Sequence, residues 1–536
     1  VPKMQASVLD RREVLKRGSA LGIGAASLAA LGGPAAMAAR GQSEEGVRGG
    51  SLSVAVIGEP PTLDIHQSGA TIVAFIMWNV YETLFTFDSE FGVIPMLAES
   101  HDVSEDGLTQ TIHLRQGVPF HNGEEMKSAD VIASIQRWSG LTGLGGSLME
   151  ATDEIVAVDD YTIEFKMNQP YGAFVQSMAL NIQGLAIYPQ SVLDAAGDGQ
   201  VTEFIGTGPY KFAERQADRF IRLERFEEYA ALDGEADGYG GHKYQYLDEI
   251  TFVPVPDEAA RIAGLQAGDY HYLESITADQ AAGLEGTSGM TVDVVPPNAW
   301  STFVLNWKQP LMGELKIRQA VQAALDHEAI MLAAQGDGFY RLDPGVMFQE
   351  TVWHTSAGEE LYNQNDPEKA KQLMEEAGYD GTPIRWITTQ EYANHYNLSM
   401  VGKQQLEEVG FTVDLQVYDW ATVVDMVKDP EVWDIYTTGI NFRSDPVMIA
   451  PFQPCEWNGW WCSDAAIELM DTLKRESDFD TRYDAWEQLQ QLFYDEVGLI
   501  KLGDQLSVNA RSSRVQGFVP QIQLSPILWN VWLEEE

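Results

Sequence analysis

"NAWSTFVLNWKQP" (Asn298–Pro310) runs almost directly into "ELKIRQAVQAALDHEAIM" (Glu314–Met331), a long apolar strand followed by a capped amphipathic helix. The stretch marks a change of domain. Just before it, "YLDEITFVPVPDEAARIAGLQAGDYHYL" (Tyr246–Leu273) reads as strand, helix, strand, the signature of a parallel α/β unit. After it, "DPEKAKQLMEEAGY" (Asp366–Tyr379) opens a second such unit. There "IRWITTQ" (Ile384–Gln390), "VGKQQLEEVGFTVDLQVYDW" (Val401–Trp420) and "WDIYTTGINF" (Trp433–Phe442) alternate strand with helix. Helices over residues 465–495 precede closing strands in "LIKLGDQLSVNARSSRVQGF" (Leu499–Phe518). No internal repeat and no long Pro/Gly/Ser tract separates the units, so short strand crossovers are expected to join them.

The first half is read in the same way. "SLSVAVIGEPPTLD" (Ser51–Asp64) gives a strand ended by Pro60 and Pro61, and "FIMWNVYETLF" (Phe75–Phe85) has helical spacing of its large residues. Alternation predicts strands at Thr109–Leu114 and in "DYTIEFKMNQP" (Asp160–Pro170), where Pro170 ends the run. Ser128 is expected to cap a helix starting at Ala129 and Asp130. "IGTGPYKFAERQADRFIRLERF" (Ile205–Phe226) predicts a tight Gly-Pro turn feeding a hairpin.

A chain of 536 residues exceeds one ordinary core, and 45% hydrophobic residues supply enough apolar material for several. Eighty acidic against thirty-four basic residues give a formal charge of −46. That field repels nucleic acid and anionic lipid, and otherwise fits solubility in a salty or extracytoplasmic setting. Charge alone names no ligand.

Arg11, Arg12, Lys16 and Arg17 precede an uncharged run from Gly18 to Ala39 that ends in Ala36-Met37-Ala38. This predicts an export signal over 1–38, cleaved after Ala38. The paired arginines of "DRREVLKRG" (Asp10–Gly18) are twin-arginine-like, although Asp10 and Val14 stand where that pattern usually has Ser and Phe. The expected mature protein is soluble and periplasmic. In an oxidising compartment the two cysteines, Cys455 and Cys462, imply a local disulfide; two thiols without a partnering pair do not complete a zinc shell.

A secreted hydrolase is the rival class. The chain contains no G-x-S-x-G, H-E-x-x-H or G-x-x-x-x-G-K-[ST] motif, and its nine histidines are dispersed. These absences leave an enzyme unsupported, and no cofactor is expected.

Four segments in order carry a resemblance to a known family: "EPPTLD" (Glu59–Asp64) with "YETLF" (Tyr81–Phe85); "LAESHDVSEDGLTQTIHLRQGVPFHNGEEMKSADVIASIQRW" (Leu97–Trp138); "GTGPYKF" (Gly206–Phe212); and "FVLNWKQPLMGELKIRQAVQAALDHEAI" (Phe303–Ile330). From about Gly50 onward the chain resembles family 5 extracellular solute-binding proteins, the peptide, nickel and oligosaccharide receptors of ABC importers. The resemblance implies a binding protein, not an enzyme, with an α/β, two-lobed periplasmic-binding-protein-like fold and an extra subdomain in the first lobe. It places lobe I at 50–300 with the subdomain at about 85–200, lobe II at 301–507, and a C-terminal return to lobe I at 508–536. The implied partners are a small-molecule solute and a membrane permease. A monomer is expected, with no nucleic acid bound.

In the family's dipeptide receptors an aspartate three residues before an Asp-Pro pair grips the peptide amino terminus. Counting back from Asp445, that position is Phe442 here. An arginine for the peptide carboxylate is likewise replaced by Tyr396 and Asn397. What remains is Arg443, whose planar fork suits a carboxylate or phosphate, with a structural bridge to Asp445 as the competing reading. Trp420 and Trp300 are expected to overlook the cleft, and Trp460 and Trp461, inside the Cys455–Cys462 loop, to lie at its rim. Peptides are the default ligand; an oligosaccharide, an opine-like compound or another anionic solute is the alternative.

Overall fold

The computed structural model describes residues 46–180, 182–453, 455, 457–519 and 526–534, and the export segment expected at 1–38 lies outside them. Ser51–Val56 forms β1, as its alternation predicts. The helix that follows covers Thr71–Met77 and stops before most of "FIMWNVYETLF". The reason is local: the Asn79 side-chain amide donates to the carbonyls of Phe75 and Ile76 at 3.0 and 3.1 Å, satisfying the last turn from outside.

A hairpin of β2 (Phe85–Phe87) and β3 (Val93–Pro95) leads into β4 (Ala98–Val103), β5 (Thr109–Leu114), β6 (Thr152–Asp159) and β7 (Thr162–Met167). The last four form a separate antiparallel sheet in the order β4-β5-β7-β6. The helix packed with it, Ser128–Leu141, begins one position earlier than expected, because the Asp130 carboxylate accepts the Lys127 N–H at 2.9 Å and makes Lys127 the boundary residue.

The predicted hairpin is β8 (Tyr210–Gln216) and β9 (Phe220–Arg225); a two-residue ladder, β10 (Ala236–Asp237) with β11 (Gly240–Gly241), follows. Then come β12 (Glu249–Pro254), the helix Glu258–Ala267, β13 (Tyr272–Leu273) and the sixteen-residue β14 (Met290–Leu305). The second half contributes β15 (Tyr340–Arg341), β16 (Ile384–Thr389), the helix Ala393–Val409, β17 (Val413–Tyr418) and β18 (Ile435–Asn441). It ends with the helices Asp464–Arg475 and Phe479–Glu496 and the strand β19 (Ile500–Ser512).

Among the described residues one main sheet runs through both halves, in the order β17-β16-β18-β14-β19-β13-β1-β12-β9-β8. Pairing directions decide where the strands point. β1 is parallel to β12 and β13; β13 is antiparallel to β19, and β19 to β14, so these first-half strands share the direction of β14. β18 is antiparallel to β14 and parallel to β16, which is parallel to β17. The carboxyl ends of the two parallel sets therefore point toward each other along β14. At the meeting point, Pro296 and Pro297 offer no N–H, and the β14–β19 register shifts between Val295 and Ala299.

The largest buried cluster spans both halves, joining Leu52, Phe75 and Trp138 to Phe442, Phe452 and Trp486, and two smaller clusters lie to either side of it: Leu273, Ile262 and Leu284 with Ala510, and Phe303, Trp386, Leu398 and Ile435. No helix among the described residues is long and apolar enough to cross a membrane.

Candidate ligand cleft

In open α/β sheets, ligands bind beyond the carboxyl ends of parallel strands. On the second half that edge is fixed by a buried polar network. Trp386 Nε1 donates to Thr437 Oγ1 (2.9 Å), while Ser399 Oγ lies 2.9 Å from Thr388 Oγ1 and 2.7 Å from Thr437 Oγ1. These bonds tie β16, the helix Ala393–Val409 and β18 into one unit, so the loop between β16 and that helix is held at both ends.

On this loop and helix stand Tyr392, His395, Tyr396 and Asn397. The Trp420 ring lies 5.3 Å from Tyr392 and 5.4 Å from His395, and its backbone N–H donates to Glu391 Oε2 at 3.1 Å. Asp419 fixes Trp420 by accepting the Thr422 N–H at 2.9 Å, capping the next helix. Burial pushes the His395 imidazole down to about 4, so it is neutral at pH 7. Tyr396 and Asn397 sit half-buried on the same turn.

Nearer β14, Trp300 is opposite Ile440, and the Phe442 N–H donates to the Asn298 carbonyl at 2.7 Å. The Phe442 ring is stacked 6.0 Å from Phe348 and edge-on 5.0 Å from Phe91, which the β2–β3 turn delivers from the first half. Trp300, Phe348, Phe442, Arg443 and Ile449 line one cavity of about 10 Å³, room for about one water.

The competing reading of Arg443 as a bridge to Asp445 is replaced by a different pairing: Asp445 Oδ1 meets Arg482 Nη2 at 2.8 Å, both side chains sealed from solvent. Burial still holds the Asp445 carboxyl above its ordinary value, only partly offset by Arg482. Arg443 donates to its neighbour's carbonyl, Phe442 O, at 2.8 Å and has no acidic partner among the described residues. Burial lowers its pKa below the usual guanidinium value. Beside it, β18 pairs with β16 only through Ile435 and Tyr436. On that side Thr438–Asn441 carry no strand among the described residues.

The Cys455–Cys462 disulfide is formed. Trp461 is buried, donating from Nε1 to Glu496 Oε2 at 2.8 Å, with Phe452 edge-on at 5.6 Å. Trp460 lies 5.8 Å from Trp433 with the Lys308 ammonium 4.5 Å above it. Both indoles are thus engaged in packing the disulfide loop onto the second half. Phe91, Phe348, Tyr392 and His395 were not singled out from the sequence; the i, i+3 spacing of Tyr392 and His395 ahead of Tyr396 was the one available signal.

A chain with this sheet and this edge is a two-lobed binding protein, and comparison identifies the family. The model described as bacterial extracellular solute-binding proteins, family 5 Middle, matches residues 92–458; the chain belongs to that family. It is 28% identical over 477 residues to a probable peptide ABC transporter periplasmic-binding protein of Sinorhizobium fredii, covering 84% of this chain and 88% of the relative. It is 26% identical over 475 residues to a glutathione-binding protein of Pectobacterium atrosepticum, covering 85% and 89%. The crystal structure of the ABC transporter substrate-binding protein CtaP from Listeria monocytogenes superposes with a TM-score of 0.78 at 24% identity, covering 91% of this chain and all of that one, and shows the shared fold.

Proposed function

We propose that this protein captures a peptide or peptide-like solute between its halves and delivers it unchanged to the permease of an ABC importer, acting as a periplasmic monomer after removal of a twin-arginine-like signal. The lobe limits 50–300, 301–507 and 508–536 belong to the same proposal, with the β14–β19 pair as the crossing. The observation that carries it is the open backbone edge of Thr438–Asn441, which ends two residues before Arg443. Extended peptides recognise such an edge by main-chain hydrogen bonds, and a guanidinium without an acidic partner suits their carboxylate. The names of the relatives, a peptide transporter component and a glutathione receptor, support the same solute class.

A thermal-shift screen across peptides, sugars and opines tests it. A peptide that raises Tm in proportion to its concentration and is recovered intact is the expected result. Stabilisation by sugars alone, or turnover of the bound peptide, overturns the proposal.

A further inference from the structure

The first half presents its own charged group at the carboxyl edge of its parallel strands. Glu274 follows β13 directly, and its N–H donates to the β1 carbonyl of Ala55 at 3.1 Å. Leu273 is level with Ala510 of β19, which is level with Val292 of β14, so Glu274 stands near the level of Asp293, just short of the Pro296–Pro297 break. Phe442, bonded to Asn298, stands just beyond it. Glu274 and Arg443 therefore occupy facing edges, one on each side of the crossing.

Three features set Glu274 apart from the many acidic residues of this chain. Its Oε2 is shielded from solvent and has no hydrogen-bond partner, and the residue has no ion pair among the described residues. Arg261, the nearest cation in the electrostatics, spends its guanidinium on the carbonyls of Val255, Pro256 and Ser275 at 2.9–3.0 Å. The next residue, Ser275, is held at φ +51°, a left-handed conformation that a non-glycine residue adopts at a cost. That strain is sustained from both sides: Ser275 donates its N–H to Asn509 Oδ1 at 3.0 Å and accepts from Arg261 at 2.9 Å. Two buried side chains are thus committed to fixing the backbone that carries a carboxylate with no ion-pair partner among the described residues. Burial raises the Glu274 carboxyl above its ordinary value, and the Ile57 N–H and Arg261 offset this only in part.

We propose that Glu274 is a ligand-binding residue that takes a cationic nitrogen, and that the solute is a zwitterion spanning from Glu274 on the first half to Arg443 on the second. This rests on the peptide-receptor reading and deepens it. It supplies a place for the amino group that Phe442 does not provide, and it moves that place to the opposite half. A ligand bridging the two halves with opposite charges draws them together, whereas a ligand with one charge engages one edge. Four residues along the ladder and three strands across put the two backbones on the order of 20 Å apart. The two side chains shorten that gap to the span of a peptide of about two to four residues.

The test uses the full mature chain and an array of di- to tetrapeptides in free, N-acetylated and C-amidated forms, read by thermal shift and calorimetric titration. For wild type, acetylation and amidation should each weaken binding by about tenfold or more. In Glu274→Gln acetylation should cost little further, and in Arg443→Gln amidation should cost little further. Glu274→Gln should also raise the Tm of the ligand-free protein at pH 7, the opposite of what loss of a structural carboxylate does. Equal binding of free and N-acetylated peptides by wild type overturns the zwitterion proposal while leaving the peptide reading intact. Failure of every peptide in the array overturns both. The wild-type comparison stands even if a variant does not fold.

Discussion

The Gly172 N–H donates to the Lys474 carbonyl at 2.6 Å, joining the turn after β7 to the end of the helix Asp464–Arg475 in the other half of the chain. A Cβ on Gly172 would overlap the Glu476 carbonyl oxygen and lie 2.9 Å from that of Leu473. The approach therefore requires glycine for its lack of a side chain. Together with the Phe91–Phe442 contact it links residues of the first half to the second. Gly172→Val should hold the halves apart, giving a larger radius of gyration by small-angle scattering at saturating peptide and an affinity weaker by about tenfold, with secondary structure unchanged. An unchanged radius would show that closure does not use this corner.

Two arginines close together in space serve different ends. Arg482 is sealed in, paired with Asp445, bonded to the Leu473 carbonyl at 2.9 Å and set over Trp353. Removing it leaves a buried carboxylate alone, so Arg482→Ala should lose about 3–5 kcal/mol in chemical denaturation. Arg443→Ala should change stability by no more than about 1 kcal/mol and show its effect in peptide affinity. The reverse pattern would exchange their roles.

Burial lowers the pKa of six imidazoles, His101 and His271 among them; His66 and His327 are pushed down to about 3, His121 and His395 to about 4. Below about pH 6.5 the unfolded chain takes up protons that the folded chain refuses, so stability is full above that pH and falls as pH drops toward 4. His327, with neither ring nitrogen bonded, is the cleanest case. His327→Leu should flatten the stability profile between pH 6 and 4 by about 1.4 kcal/mol per pH unit, measured by urea denaturation. A profile unchanged in slope would show that His327 protonates in the folded state.

The Cys455–Cys462 bridge closes a short loop, so its reduction should cost about 2 kcal/mol by loop entropy. Because Trp460 packs on Trp433 within this region, dithiothreitol should lower Tm and red-shift the indole emission together. A Tm shift without a spectral one would place the effect elsewhere.

Much of the fold was legible because half-buried strands alternate and α/β units announce their helices: Thr109–Leu114 and Ile384–Thr389 are where the pattern puts them. The misreadings have physical causes. β14 begins at Met290, eight residues before the apolar stretch at Asn298, and Pro296 and Pro297 interrupt the alternation that would signal the longer strand. In the sheet a register shift accommodates the missing donors. In the site, Phe442 and Arg443 were reachable by counting back from Asp445, and the structure brings them together with Trp300. Phe91, Phe348 and Glu274 were not reachable, since what qualifies them is contact across the chain, a missing partner and a neighbour's dihedral angle, none of which has a sequence period.

The unbroken sheet has a thermodynamic corollary. β14 and β19 are hydrogen-bonded to each other on both sides of the proline break; β14 also pairs with β18 of the second half, and β19 with β13 of the first and β15 of the second. Melting either half would strip neighbours from a ribbon the other depends on. A jaw-shaped molecule built this way should denature in one calorimetric transition, with van't Hoff and measured enthalpies in agreement, as though it had a single core.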